Sequence, residues 1–190
     1  ALQGDFSKHI NILNKLSIDS IYVKNLNDLE KTQALIIPGG ESSTLSLLID
    51  RFNLRQGLLE YSKKFSIFGT CAGMIMLSNS DSISKIRGSK IDSLGIMQFT
   101  VVRNAWGSQI DSFKKQIDLE QFNIKSFEAI FIRAPKVKAV YGANIKVDYM
   151  DEDVIILEDN MHMACSFHPE LTNDYRIHEY FLDKFYHERK

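Results

Sequence analysis

Residues 68–74, Phe-Gly-Thr-Cys-Ala-Gly-Met, are the stretch on which the reading of this chain turns. The run before it, Phe65-Ser66-Ile67-Phe68, has strand composition, and the run after it, Met74-Ile75-Met76-Leu77, can open a helix. A strand, then Gly69-Thr70-Cys71-Ala72-Gly73, then a helix is the geometry of a nucleophile elbow with cysteine in the place of serine. Glycines on both sides permit a backbone too tight for bulky side chains, and they leave the sulfur exposed at the bend. The plainer alternative is a buried cysteine in a glycine-containing turn.

Working outward, Ala34-Leu35-Ile36-Ile37 is a continuous apolar run stopped by Pro38-Gly39-Gly40, as in a buried strand that ends in a loop. Leu45, Leu48, Ile49 and Phe52 then follow at the spacing of an amphipathic helix, with Ser42, Ser43 and Thr44 available to cap it. Upstream, Phe6, Ile10, Leu13 and Leu16 give a helical apolar face, and Ile21-Tyr22-Val23 reads as a short strand. Alternating helices and strands imply a mostly parallel sheet with helices on its faces, in which ligand sites gather beyond the carboxyl ends of the strands. The Pro-Gly-Gly loop and the Cys71 elbow both follow expected strands, so both belong on that rim.

The second half changes character. Residues 96–102, 129–132, 145–150, 154–157 and 163–167 read as strands, the last three joined by short turns as an antiparallel meander. Ile177, Tyr180, Phe181 and Phe185 mark a closing helix over about 173–190. With no domain linker in view, residues 1–190 read as one α/β domain. Ala1 and Leu2 look like the end of a strand whose start is absent.

Composition excludes several function classes. Of 190 residues, 44% are hydrophobic and 25% charged, and the formal net charge is -1. There is no basic block to meet a nucleic-acid backbone and no apolar run long enough to cross a bilayer. Two cysteines make no disulfide framework and suit the reducing cytoplasm.

A cysteine nucleophile needs a base that takes its proton and later returns one to the leaving group. Of the five histidines, His178 and His187 lie in the charged terminal helix and read as solvated, His9 sits in the first helix, and His162 follows a turn. His168 ends an apolar strand and is followed by Pro169 and Glu170. A carboxylate two residues on can accept the other ring N–H and fix the tautomer. Cys165 reads as a packed strand residue. The amide of Ala72, at a helix N-terminus, suits a developing oxyanion, and a second donor can come from Gly39-Gly40. Arg103 and Arg133 interrupt apolar stretches, where an unpaired charge is costly; an ion pair with a nearby acid remains open for both.

Taken in order, PGGES at 38–42, GTCAG at 69–73 and SFHPE at 166–170 resemble a class I glutamine amidotransferase. LQGDF at 2–6, VVRNAWGSQIDSF at 101–113, FIRAP at 131–135 and FHPEL at 167–171 resemble, more narrowly, the glutaminase subunits of pyridoxal 5′-phosphate synthases. The resemblance implies a flavodoxin-like three-layer sandwich whose mostly parallel central sheet carries antiparallel strands in its C-terminal half. It implies Cys71 as nucleophile with His168 and Glu170 completing a triad, and L-glutamine held by Gly40, Glu41, Ser42, Arg103, Ile132 and Arg133. It implies hydrolysis of glutamine to glutamate and ammonia through a thioester, with ammonia passing to a separate (β/α)8 synthase subunit in a large mixed assembly. Such subunits are poor glutaminases alone. No cofactor and no metal are implied here, pyridoxal phosphate being the product of the complex. GGESS stands where relatives often read GGEST, and Val102 where some carry an acid. Other glutaminases of the fold, such as the one feeding imidazole glycerol phosphate synthase, a γ-glutamyl hydrolase, and a non-catalytic binding module are the competing readings. Gln3 to His9 are the expected docking segment.

Overall fold

The protein, represented by a computed structural model, is described over residues 1–79, 92–103, 112–142 and 144–187. In chain order the helices are α1 (Phe6–Lys15), α2 (Leu26–Leu29), α3 (Ser42–Arg51), α4 (Arg55–Ser62), α5 (Ala72–Leu77) and α6 (Arg176–Leu182). The strands are β1 (Ala34–Ile37), β2 (Ser66–Thr70), β3 (Phe99–Val102), β4 (Ser112–Leu119), β5 (Ile124–Ile132), β6 (Lys136–Val140), β7 (Lys146–Met150), β8 (Asp153–Glu158) and β9 (Met163–Cys165).

The central sheet runs β1-β2-β9-β8-β7. Its first three strands are parallel, and β8 and β7 return antiparallel, which is the expected mostly parallel sheet with an antiparallel meander. Adjacent residues on β2 point to opposite faces. Ile67 enters one core with Leu45, Ile49, Leu58, Met74 and Leu77, while Phe68 enters the other with Met163, Phe167, Ile177 and Phe181. Burial on both faces is why β1 and β2 are apolar runs rather than alternating ones. Helices α3, α4 and α5 with the β3–β6 pair cover the first face; α6 and the β4–β5 hairpin cover the second. The result is the expected three-layer α/β arrangement. An open groove of about 570 Å³ lies along the outer edge of β1, between α1 and α6 and away from Cys71.

Several expectations are corrected. Residues 21–23 form no strand: Ile21 and Tyr22 are exposed, and the Val23 carbonyl accepts from the Ala1 ammonium with no ladder beside the segment. The cap of α3 is Glu41, whose carboxylate accepts from the Thr44 amide at 2.6 Å, rather than a hydroxyl residue. The buried face of α3 is Ser42, Leu45, Ser46 and Ile49, while Phe52 follows the last helical residue and is 50% exposed. The last strand stops at Cys165, and β5 begins five residues earlier than its apolar end suggests. Helix α4 and strands β4 and β6 went unpredicted. In β4 the residues facing solvent include Lys114, Lys115 and Gln116, so the hairpin shows no apolar run to a reader of sequence.

Candidate active site

Strand β2 delivers Cys71 to the carboxyl edge of the sheet, and α5 begins at the next residue. Cys71 itself has φ 48° and ψ -101°, a conformation outside the ordinary basins of an L-residue. Such strain costs on the order of 1–3 kcal/mol and persists only where the surroundings over-determine it. Two contacts do so here. The Cys71 amide donates to the Cys165 carbonyl at 2.8 Å, tying the elbow to β9. Helix α5 is pressed onto β1 at Gly73, where an added Cβ would lie 2.0 Å from the Ile37 carbonyl oxygen. The glycine after the elbow therefore serves close packing.

The sulfur is not exposed as its position in a tight bend suggests. Cys71 is 5% exposed, with Sγ directed toward the Ile132 carbonyl at 3.8 Å. The covering comes from segments far away in sequence: the end of β5 on one side and Gly39, where an added Cβ would lie 3.4 Å from the Cys71 Cβ, on the other.

His168 leaves the β9 end through Ser166 and Phe167, and its amide donates to the Ile130 carbonyl at 2.8 Å. Pro169 then starts a single 3₁₀ turn, Pro169–Leu171, which brings Glu170 back beneath the imidazole. His168 Nδ1 and Glu170 Oε1 are 2.7 Å apart, and the ring also interacts with the Cys71 side chain. The Glu170 side chain is fully enclosed. Burial pushes the His168 imidazole down, but its bonds to Cys71 and Glu170 outweigh burial and raise it to about 10. Sulfur, imidazole and carboxylate thus come together in that order, with a hydrogen bond between the imidazole and the carboxylate. A thiol, a base and an orienting carboxylate in this order can run nucleophilic acyl transfer.

The remaining candidates fall around this line in different ways. Gly39 faces His168 so closely that a Cβ there would sit 2.3 Å from Cε1; its own amide donates to Thr70 Oγ1 at 3.0 Å. Gly40 has φ +153° and lies under the Gln3 side chain, whose Oε1 accepts from the Glu41 amide at 3.2 Å. Ala72 is the first residue of α5, where an amide has no partner within its helix. Glu41 accepts from Arg103 at 3.0 Å while capping α3, so the ion pair left open for Arg103 is formed. Burial raises the Glu41 carboxyl, yet hydrogen bonds from Thr44 and Ser43 prevail and hold it below its ordinary value. Ser42 is buried in the first turn of α3. Arg133 is exposed, at φ 44° just past β5, so it bears no burial cost of the kind its apolar neighbours suggested. Of the VVRNAWGSQIDSF stretch, residues 104–111 lie outside the described residues. Asp5, His168 and Glu170 place ligand atoms within 4.8 Å of one another, but a cation there would have to displace the 2.7 Å bond between His168 and Glu170.

Cys165 is packed as expected, 0% exposed, with its thiol donating to the Phe167 carbonyl; burial and the nearby Glu170 and Cys71 push it well up. His162 is buried and accepts from the Ile67 amide at 3.1 Å, pinning β2. His178 is corrected outright. It is 0% exposed, and its Nε2 lies 2.9 Å from Nδ1 of the equally buried His9, whose Nε2 lies 3.6 Å from Glu170 Oε2. The burial of His9 also removes it from the expected docking segment. A signal existed for both: His9 shares a helical face with Ile12 and Leu13, and His178 with Phe181 and Leu182. The side chain of His187 lies outside the described residues.

This geometry agrees with what the chain is similar to. Over 185 residues it is 46% identical to the pyridoxal 5′-phosphate synthase subunit PdxT of Thermosipho africanus, covering 96% of this chain and 94% of that protein. The PdxT proteins of Oenococcus oeni and Desulforamulus reducens are 40% and 41% identical, each over 96% of this chain and 92% and 95% of their own. Among solved structures, a crystal structure of a glutamine amidotransferase matches with TM-score 0.85 at 35% identity, over 96% of this chain and 94% of that one. A Thermotoga maritima glutamine amidotransferase, at 14% identity and TM-score 0.55, shares the fold. Residues 1–187 match the model of the SNO glutamine amidotransferase family, and the chain belongs to that family.

Proposed function

We propose that this chain is the glutaminase subunit of a pyridoxal 5′-phosphate synthase, working as one domain in the cytoplasm. The observation that carries this reading is the Cys71–His168–Glu170 line at a strained elbow, supported by full-length similarity to PdxT proteins. The Cys71 thiolate attacks the side-chain amide carbon of L-glutamine, and the carbonyl oxygen takes up negative charge. Amides of Ala72 and Gly40 are the donors best placed for it, since the Gly39 amide is committed to Thr70. The His168 imidazolium gives its proton to the departing nitrogen, and ammonia leaves behind a γ-glutamyl thioester. His168 then takes a proton from water, the hydroxide adds to the thioester, and glutamate departs as the thiolate re-forms. Glu170 holds the ring tautomer throughout.

On this reading Arg103 and Arg133 bind the α-carboxylate, and Glu41, Ser42 and the Ile132 carbonyl lie along the rest of the substrate. Ammonia passes to a (β/α)8 synthase subunit within a hetero-oligomer. Glutamine hydrolysis by Cys71→Ala, measured with the cognate synthase subunit present, is expected to fall to background while the fold is kept. Undiminished hydrolysis in that variant would sink the mechanism. An absence of stimulation by the partner would favour an independent γ-glutamyl hydrolase.

A further inference from the structure

We infer that His9 and His178 form a positioning relay behind the triad, in which His178 Nε2–H donates to His9 Nδ1 and His9 Nε2–H supports the far oxygen of Glu170. The inference rests on the triad reading above and extends it by two residues.

Three observations carry it. The first is the unequal treatment of the Glu170 oxygens. Oε1 is engaged by His168 at 2.7 Å, whereas Oε2 is buried without a hydrogen bond, and His9 Nε2 faces it at 3.6 Å. A buried carboxylate oxygen without a donor costs more than a kilocalorie-scale bond returns, and bonds of this kind shorten when a site is engaged by substrate. The second is continuity: His9 Nδ1 and His178 Nε2 are 2.9 Å apart, and His9 Nε2 also lies 3.4 Å from Thr70 Oγ1, the hydroxyl that holds the Gly39 amide. The third is enclosure: His9 is 3% exposed and His178 0%, so water cannot substitute for either partner.

These contacts favour one pair of tautomers. One of the two facing nitrogens must carry the proton. Placing it on His9 Nδ1 would turn the His9 Nε2 lone pair toward the Glu170 carboxylate, which is repulsive, and leave only the Thr70 hydroxyl at 3.4 Å to donate to it. Placing it on His178 Nε2 makes His9 Nδ1 the acceptor and turns a His9 N–H toward Glu170. The one unpartnered nitrogen, His178 Nδ1, is then an acceptor rather than an orphaned N–H. Both rings stay neutral near pH 7: burial pushes His178 down to about 4, and burial followed by repulsion from His178 and His168 pushes His9 well down. The groups facing the pair are Glu170, His168, Thr70 and the edge of the Phe68 ring.

The relay acts on chemistry only through Glu170, whose rotamer it locks. Removing it should therefore lower kcat and spare KM. His9→Leu is expected to lose about 10–100-fold in kcat, the range found when the partner behind a functional group is removed. His9→Gln keeps a donor at nearly the same reach and is expected to recover most of that loss. A kcat unchanged in His9→Leu, an effect confined to KM, or equal damage in both variants overturns the relay. Long-range ¹H–¹⁵N spectra of the wild-type protein with labelled histidine need no variant: Nε2–H tautomers at both His9 and His178 are expected, and an Nδ1–H tautomer at either overturns the assignment. Cys71-dependent glutamine hydrolysis by the wild type with its partner is measured alongside. Its absence removes the glutaminase reading, whereas the spectra speak to the relay alone.

Discussion

Acidification from pH 7 to pH 5 should destabilise this protein through His178. The ring is fully buried, and burial lowers it from 6.5 to about 4. In the unfolded chain it binds a proton below pH 6.5, whereas in the fold it stays neutral, so its stabilising contribution is complete above 6.5. That contribution is lost as pH falls toward 4. Each pH unit inside the window costs about 1.4 kcal/mol per proton, so at pH 5 the loss is about 2 kcal/mol, or about 4–8 °C in Tm for a chain of this length. His9, lowered by burial and then by His178 and His168, acts in the same direction. His168 does not: raised to about 10, its contribution is complete below 6.5 and is lost only as pH rises toward 10. The carboxyls of Glu41 and Asp174, held below their ordinary values, remain charged at pH 5. Urea unfolding of wild type and His178→Gln at both pH values isolates the effect, because only the wild type carries the buried ring. The variant starts from lower stability and should lose about 2 kcal/mol less on acidification. Parallel losses in the two proteins would refute the assignment of the acid sensitivity to this ring.

Two further substitutions separate catalysis from folding. Gly39→Ala puts a methyl 2.3 Å from His168 Cε1 and 2.8 Å from Nδ1, so the ring must move. A displacement of about 1 Å costs about 100-fold in rate, so glutaminase activity should fall that far. Thermal melting should register no more than the roughly 1–3 kcal/mol typical of overpacking, and full activity would show that the ring can tolerate the shift. Glu41→Ala removes both the cap of α3 and the partner of Arg103. It should cost at least about 1 kcal/mol by denaturant unfolding, from the lost cap and from leaving the Arg103 side chain, only 18% exposed, without its carboxylate partner. An unchanged midpoint would show that Ser43 or Thr44 can cap instead.

What was legible in the sequence was legible for local reasons. Strands β1 and β2 carry the apolar stretches Ala34–Ile37 and Ile67-Phe68, whose successive side chains enter the two cores, and the elbow is legible because Gly69 and Gly73 bracket Cys71 within five residues. His168 and Glu170 are likewise two residues apart. The features missed depend on distance along the chain. His9 and His178 are separated by 169 positions, and nothing local to either announces that a second imidazole awaits it. Each sits on the apolar stripe of its helix, but a polar residue type there reads as an exception to the stripe. Strand β4 is hidden for the opposite reason, since Lys114, Lys115 and Gln116 are exposed in succession and leave it looking like a charged loop. Arg133 was misread because Phe131, Ile132 and Ala134 surround it in sequence, while the turn at φ 44° points it outward.

The covered position of Cys71 divides the site into two parts of different stiffness. Behind the sulfur, Glu170, His168 and the Cys165 carbonyl are fixed by buried bonds that cannot open without exposing unpaired polar atoms, at a cost of about 1–3 kcal/mol each. The Gly39–Gly40 loop is anchored at Gly39, whose amide donates to Thr70 Oγ1 at 3.0 Å and whose carbonyl accepts from the Asp5 amide at 3.2 Å, but beyond Gly39 it is held differently. Gln3 reaches its neighbour Glu41 at 3.2 Å, and Glu41 is joined to Arg103 by a pair whose side chains are 43% and 18% exposed. Pairs of that kind contribute about 0–1 kcal/mol. Glutamine must reach a nucleophile that is only 5% exposed, and the inexpensive way in is through the Gly40–Glu41 end of this loop rather than through the triad. On the proposed function, a synthase subunit touching the Gln3 segment needs to supply only a few kilocalories to open the loop and present the Gly40 amide. A catalytic line that is assembled but covered is what partner-stimulated hydrolysis requires. If Gln3→Ala left that stimulation at its wild-type size, the opening would have to run by another route.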